Sequence, residues 1–488
     1  MARVLAETGW RTPAGITISS TTEPLGDAAT VRHSLENALN TRPGMLLYLP
    51  SGRAVGYVDP PLEISVRSRQ LTARALSPRG RLLLRAVHRA LASCLPTQTR
   101  TEDRVDVALP VTNGLFSEEE RTRQVAVFNA IRAVVAAFAV PGDPLPGLYG
   151  AFGYDLIFHV EPIALRLPRP ATQRDLVLHL PDELIDFDFN GGTATRHRYT
   201  FGIDGEFTAD LPNPPLASDP VSVRRDDPSA LVERDHRPGE YARLVELAKE
   251  RFRAGDLFEV VPSQTFRRRC DTPPAEVFRW LREHNPAPHS LLVNLGEDEH
   301  LVGASPEFFV QVADEGGNGR LSVHTSPISG TIARGGNALE DAAQIRTLLN
   351  SVKDESELTM CTDVDRNDKA RVCLPGTVTV TARRRIEMYA TLIHTVDNVR
   401  GVLRPDRDAL DAFTSHLWAV TVTGAPKRAA IEFIEEHERS PRGWYGGAVG
   451  RIGFDGCLHT VLTLRTIHLR AGVAAVRAGA TLDRKSVV

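Results

Sequence analysis

The segment "IGFDGCLHTVLTLRTIHLRAGVAAVRAGATL", residues 452–482, limits the fold most strongly. Short runs rich in Val, Leu, Ile and Thr are separated by two-residue turn signals, Asp455-Gly456 and Ala471-Gly472. Such turns join antiparallel neighbours, because a parallel pair needs a crossover of about a dozen residues or more. The segment therefore reads as an antiparallel meander. Upstream, "GTVTVTARRRIEMYATLIHTVDNVRGVL" (376–403) is equally rich in β-branched residues and reads as further strands.

Helical patterns stand among these strands without regular alternation. "YARLVELAKERFRAG" repeats apolar residues at helical spacing and ends on Gly255, a C-cap signal. "ALEDAAQIRTLLNSVKDESELTMCTDVDRND" (338–368) is helical in period, with a break near Asn350-Ser351. Strands mixed with helices in this way predict an α+β fold with a large, mostly antiparallel sheet.

A chain of 488 residues is expected to form one large domain or two ordinary ones. The Pro- and charge-rich stretch Leu211–Tyr241 marks a connection. It divides the chain into an N-terminal region, 1–235, and a more strongly patterned region, 236–482. A net charge of -3 gives no nucleic-acid footprint, and no partner of that kind is expected. No membrane span is expected either. The longest apolar run, "AVVAAFAV" (133–140), is too short and reads as a core helix. The N-terminus lacks an apolar signal segment. The five cysteines are scattered and odd in number, which favours reduced thiols in the cytoplasm over disulfides or zinc.

Several residues could carry chemistry. Asp354 and Glu357 lie three apart and share a helix face. Paired carboxylates suit a hard cation such as Mg²⁺, and the same pattern fits a solvated acidic face. Arg465 stands among apolar residues in an expected strand, so an anionic partner is implied, either an internal acid or a substrate carboxylate. His394 lies in another apolar strand, where a histidine is most often a satisfied core residue. Glu307 follows a Ser-Pro turn and precedes a strand, at a cavity or at an exposed strand edge. "TVTGAPK" opens a helix whose free N–H groups attract anions. Gly479 in "RAGATL" lets a ligand approach the backbone closely.

Together, "GAFGYD", "GDLFEVVPSQTF", "GASPEFF", "SPISGTIARG", "KDESELTM", "DVDRND", "PGTVTV", "LIHTVDNVRG", "AVTVTGAPK", "WYGGAVG", "LTLRTI" and "RAGATL" resemble, in order, the chorismate-utilising enzymes. The match is closest to the large chain of anthranilate synthase, in the form fused to a C-terminal glutaminase domain. The resemblance implies a large antiparallel β-sandwich with helices outside. It implies the conversion of chorismate and ammonia, supplied from glutamine by a glutaminase domain or subunit, to anthranilate and pyruvate. Mg²⁺ would be the cofactor, with Glu357 as ligand and Asp354 beside it. Glu307 would protonate the departing hydroxyl, and His394 would stand near the ring during elimination. Arg465 and Tyr445 would hold the enolpyruvyl carboxylate. Gly330, Thr331, Thr421 and Lys427 would line the substrate site, and Gly479 would donate a backbone N–H.

Two positions separate the family's reactions. Relatives that use water carry a Lys where this chain has Glu259, and relatives that form aminodeoxychorismate carry one where it has Ser329. Both point to direct amination. A synthase that stops at 2-amino-2-deoxyisochorismate, as in phenazine-type pathways, is the alternative, and an inactive fragment or binding module is a second. "MLLYLPSG" (45–52) replaces the stretch that, with "NPAPHSLL" (285–292), would bind tryptophan as feedback inhibitor. A homo-oligomer is among the open quaternary options. In the family an acidic stretch after "RAGATL" supplies a second Mg²⁺ carboxylate. Here "DRKSVV" (483–488) stands in its place. It matches one reading frame of a sequencing adapter and is expected to be non-native. The 488-residue form is then expected to bind Mg²⁺–chorismate poorly and to turn over little.

Overall fold

A computed structural model describes residues 5–111, 120, 123–216 and 233–483. The glycine turns form as their sequence implies. Gly456 and Gly472 take φ of 86° and 76°, which a side chain would strain. Around the first, Ala448–Gly453 pairs antiparallel with Leu458–Leu462, and around the second Thr466–Arg470 pairs with Val473–Gly479.

The two hairpins do not make one meander, however. They belong to different sheets, and the chain crosses between them at residues 463–465. Leu464 N–H donates back to the Leu462 carbonyl at 2.9 Å, a tight turn that ends the ladder. Arg465, expected within a strand, instead occupies this corner with φ 48°. That correction matters because a corner aims its side chain between the layers.

Among the described residues the main sheets have 12 and 13 strands, every pairing antiparallel. They share one apolar core, to which Met45, Leu47 and Val55 contribute from the first sheet and Ile64, Val66 and Leu178 from the second. Each sheet mixes strands from both sides of the connection at 211–241. Gly44–Leu49 pairs with His289–Asn294, and Gly147–Phe152 pairs with Ala448–Gly453. Residues 217–232 of that connection lie outside the described part.

Helices pack outside this sandwich. Ala126–Ala137, which takes in part of the "AVVAAFAV" run, buries Phe128, Ile131 and Val134. Among the described residues no helix is long and apolar enough to cross a membrane. The helix Glu240–Ala254 stops at Gly255 with φ 85°. The long acidic pattern divides into Ala338–Leu349 and Val352–Ala370, and the Ser351 side chain caps the second by accepting from Asp354 N–H. None of the five cysteines is in a disulfide.

The helix Val352–Ala370 lies against the strands Ile328–Ala333 and Leu392–Val402. Gly330 makes this approach possible. Its φ is 80°, and a β-carbon there would stand 2.7 Å from Thr395 Oγ1 and 3.1 Å from Asp354 Cβ. Gly330→Ala is therefore expected to destabilise the chain by about 1–3 kcal/mol. Chemical denaturation would check this, and an unchanged midpoint would count against the close approach.

A third sheet, of three two-residue strands, joins Gly424–Ala425, Glu259–Val260 and Leu482–Asp483. It sets Glu259 opposite Asp483. The remainder of the tail read as non-native, 484–488, lies outside the described residues.

Candidate active site

The fold gathers the singled-out residues into three neighbouring groups. The first surrounds Glu307, which lies between the strands Glu299–Ser305 and Phe308–Ala313. Glu307 is 5 % exposed. Burial pushes its carboxyl well above the usual carboxylate range, outweighing the hydrogen bond from Thr421. Thr421 Oγ1 stands 3.5 Å from both carboxyl oxygens. That shift favours the protonated, neutral form.

Arg465 reaches His394 from the crossover corner. Its Nη2 is 2.9 Å from His394 Nε2, and Thr331 Oγ1 is 2.9 Å from His394 Nδ1. A guanidinium can only donate, so Nε2 must accept and the imidazole proton sits on Nδ1, shared with Thr331 and, at 3.4 Å, with the Gly330 carbonyl. Burial first, and then the Arg465 charge, lower the His394 pKa to about 4. The ring is therefore neutral. Arg465 also lies over the Tyr389 ring at 5.8 Å. Among the described residues no carboxylate is within ion-pair distance of Arg465, which leaves this half-buried cation able to take an external anion.

The second group is acidic. Glu259 is fully buried, and burial, then Glu357, then Asp483 raise its carboxyl well above the ordinary range. The Glu357 carboxyl is raised too, mainly by burial. Glu259 Oε1 is buried with no hydrogen-bond partner among the described residues, while Cys361 Sγ approaches Oε2 at 3.8 Å. Asp354 lies one turn before Glu357 on the same helix, against Gly330. Among the described residues no three His, Cys, Asp or Glu side chains converge as a closed metal cage. Mg²⁺ does not require one, since it takes one or two carboxylates and fills its other positions with water and substrate oxygens. The hard, mutually repelling donors fit that mode.

The third group supports Tyr445. A β-carbon at Gly479 would lie 3.0 Å from Tyr445 Oη and 2.8 Å from the Pro262 carbonyl, so the absence of a side chain keeps the two surfaces together. Arg442 stacks over the Tyr445 ring at 5.5 Å and pairs with buried Glu438, which also holds Arg477 at 2.6 Å. Tyr445, Thr463 and Thr466 line a cavity of about 430 Å³, whose lining does not include Arg465.

Lys427 joins none of these groups. Its ammonium donates to Asp368 at 2.5 Å and to the His416 carbonyl at 2.9 Å. Tyr389, Glu438, Arg442 and Arg477 had no signal in the sequence beyond their type, because their partners come from other elements. The stretch that replaces the family's tryptophan motif, 45–52, and its partner stretch, 285–292, lie side by side, with Leu47 opposite Leu291.

Comparison with known proteins follows the same lines. The profile of the family described as chorismate binding enzyme matches residues 93–488. The chain is 51 % identical to the anthranilate synthase of Azospirillum brasilense over 97 % of its own length and 64 % of that protein's, so it spans just under two thirds of this relative. It is 36 % identical to anthranilate synthase component 1 of Mycolicibacterium smegmatis over 68 % of its length and 66 % of the relative's. Among solved structures, component I of anthranilate synthase from Streptococcus pneumoniae superposes with a TM-score of 0.61 at 24 % identity, covering 90 % of this chain and 89 % of that one. The menaquinone-specific isochorismate synthase of Escherichia coli superposes with a TM-score of 0.63 at 16 % identity, covering 99 % and 92 %. Both likenesses are of fold.

Proposed function

The chain belongs to the chorismate-binding enzyme family, and from that premise we propose that it is the aminating component of an anthranilate synthase, a lyase of tryptophan biosynthesis. It would convert chorismate and ammonia to anthranilate and pyruvate, the ammonia coming from a glutaminase domain or subunit. The observation that carries the reading is the pairing of a buried neutral acid, Glu307, with a cation lacking a carboxylate partner among the described residues, Arg465. Chorismate is a dicarboxylate that must lose a ring hydroxyl, so it needs both an anion anchor and a proton donor.

The roles divide by chemistry. Arg465, with Tyr445, binds the enolpyruvyl carboxylate. Glu307 gives its proton to the departing hydroxyl, and Thr421 orients the carboxyl. Once Arg465 takes the substrate, His394 Nε2 is released from its hydrogen bond. Its lone pair is then free to accept the ring proton as pyruvate leaves. Thr331 fixes that tautomer. Glu357, with Asp354 one turn away, would hold Mg²⁺, which neutralises the ring carboxylate and acts as template and Lewis acid when bound. Burial favours the neutral form of Glu259, which cannot replace the lysine that activates water in other relatives. The relatives named anthranilate synthase support the same assignment.

With the family's acidic stretch in place of residues 483–488, the expected result with chorismate, ammonium and Mg²⁺ is a fluorescent aromatic amine formed together with an equal amount of pyruvate. An amino product without aromaticity or pyruvate would favour a 2-amino-2-deoxyisochorismate synthase. No product from that form after prolonged incubation would overturn the proposed activity.

A further inference from the structure

The "DVDRND" stretch and Lys427 play no part in the chemistry above, yet they meet directly behind Glu307. A partly open cavity of about 30 Å³ is lined by Glu307 and Thr421 together with Asp365, Asp368 and His416. Its lining mixes these polar groups with Phe309, Pro327, Val364 and Val420, and it has room for about one water or two. Asp365 Oδ2 accepts from Thr325 Oγ1 at 2.7 Å and from Lys369 Nζ at 2.8 Å. Lys369 is fully buried and also donates to Thr325 and, at 3.4 Å, to His416 Nε2. His416 Nδ1 lies 2.7 Å from the Ala412 carbonyl, which fixes its proton there and leaves Nε2 as acceptor. Asp368 is committed to Lys427. The other Asp365 oxygen, Oδ1, lies 3.7 Å from His416 Nε2, longer than a hydrogen bond, and so can accept from within the cavity.

A buried ion pair is poor value as a source of stability, because desolvation offsets its attraction. The Asp365–Lys369 pair has another use. It fixes a carboxylate oxygen at the rim of a water-sized space whose opposite rim is the acid. We infer that Asp365 is the positioning residue of Glu307, holding its carboxyl through water in this cavity so that the acid stays protonated and correctly turned. The water donates one hydrogen to Asp365 Oδ1 and the other to the C=O oxygen of the Glu307 carboxyl, which leaves the Glu307 O–H turned toward the substrate. When Glu307 releases its proton the water keeps its hydrogen bond to the carboxylate, so no charge is left unbridged. The inference rests on the reading of Glu307 as the proton donor.

Other groups also face Glu307. Cys361 and Asp368 come from the same helix as Asp365, and His416 from the segment beyond the next helix. Tyr389 and Glu387 come from the strand side and Arg465 from the crossover. Removing the Asp365 charge should thus shift Glu307 without abolishing its preference for the neutral form.

The test uses the infrared C=O band of the protonated carboxyl, assigned to Glu307 by its loss in Glu307→Gln. In Asp365→Asn this band should titrate lower by about 1 pH unit or more, because a like charge has gone. In Asp368→Asn, whose carboxylate is held by Lys427 and takes no part in the water bridge, it should move much less. Equal shifts in both variants, or none in the first, would overturn the assignment. Should Asp365→Asn fail to fold, a high-resolution crystal structure of the unaltered chain decides. It should show a water within hydrogen-bond distance of both Glu307 and Asp365, and a dry cavity would overturn the inference. Neither readout uses turnover, so failure of the proposed activity would be seen separately in the product assay.

Discussion

Glu307→Gln is expected to lower the rate of chorismate amination by about 10²–10⁴-fold, the usual worth of a positioned general acid, while making the fold more stable at neutral pH. The two effects have one cause. Glu307 is buried and its carboxyl is held well above the range of a solvated glutamate. In the unfolded chain the same group ionises near its ordinary value of about 4.3. Above that pH the folded chain holds a proton that the unfolded chain has released. By linkage, stability then falls as pH rises, and continues to fall up to the folded pKa. Below about pH 4 both states are protonated and the difference vanishes. Glutamine has the shape of the neutral acid and cannot ionise, so it removes this loss. Melting curves at pH 4 should nearly coincide for the two chains, and at pH 7–8 the variant should melt higher. Its KM should change little, since Arg465 and Tyr445 are untouched. A variant that melts lower at neutral pH would show that the carboxyl is ionised in the folded state. It would remove the basis for calling Glu307 an acid.

How far the sequence goes toward this picture depends on the range of the interaction. Turn chemistry is local, and Gly255, Gly456 and Gly472 fall where their residue types place them. The break between the two acidic helices was likewise legible, because Ser351 caps within its own segment. The change of sheet at 463–465 was not, since "LTLRTIHL" alternates as smoothly as any strand. Whether such a run continues one sheet or crosses to another depends on a core assembled from distant strands. Arg465 was therefore singled out correctly as an apolar-context cation but placed in the wrong kind of structure. The site shows the same division. The spacing of Asp354 and Glu357 put them on one helix, whereas the meeting of Asp365, Lys369 and His416 behind Glu307 needs three separate elements. Lys427, expected to line the substrate site, gives its ammonium to Asp368 and to the His416 carbonyl.

Glu438→Gln carries the largest expected effect on stability, about 3–5 kcal/mol of destabilisation. Glu438 has no exposed side-chain surface and balances two buried guanidinium groups, Arg442 at 2.7 Å and Arg477 at 2.6 Å. It also accepts from Ser263 N–H at 2.8 Å and from Ser263 Oγ at 2.7 Å. The glutamine amide can replace part of this hydrogen bonding, but one of its ends donates where an acceptor is needed, and the charge is gone. Two cations then face each other in a dry site. The pH dependence has the opposite sign to that of Glu307. The two arginines and Ser263 hold the Glu438 carboxyl below its ordinary range in spite of burial. Its contribution is therefore present above the unfolded pKa and is lost as pH falls through the folded one. Urea midpoints of parent and variant should differ most at neutral pH and converge in acid. Adding Arg477→Met to Glu438→Gln should recover part of the loss, because it removes one uncompensated charge, and the non-additivity measures the coupling. The consequence for function runs through Arg442, whose guanidinium stacks over both Tyr154 and Tyr445. If Arg442 shifts, Tyr445 loses its backing against Gly479, and affinity for a carboxylate substrate should fall with the stability. A Glu438→Gln chain with unchanged midpoint and unchanged KM would show that the triad is neither the anchor of this corner nor the support of Tyr445.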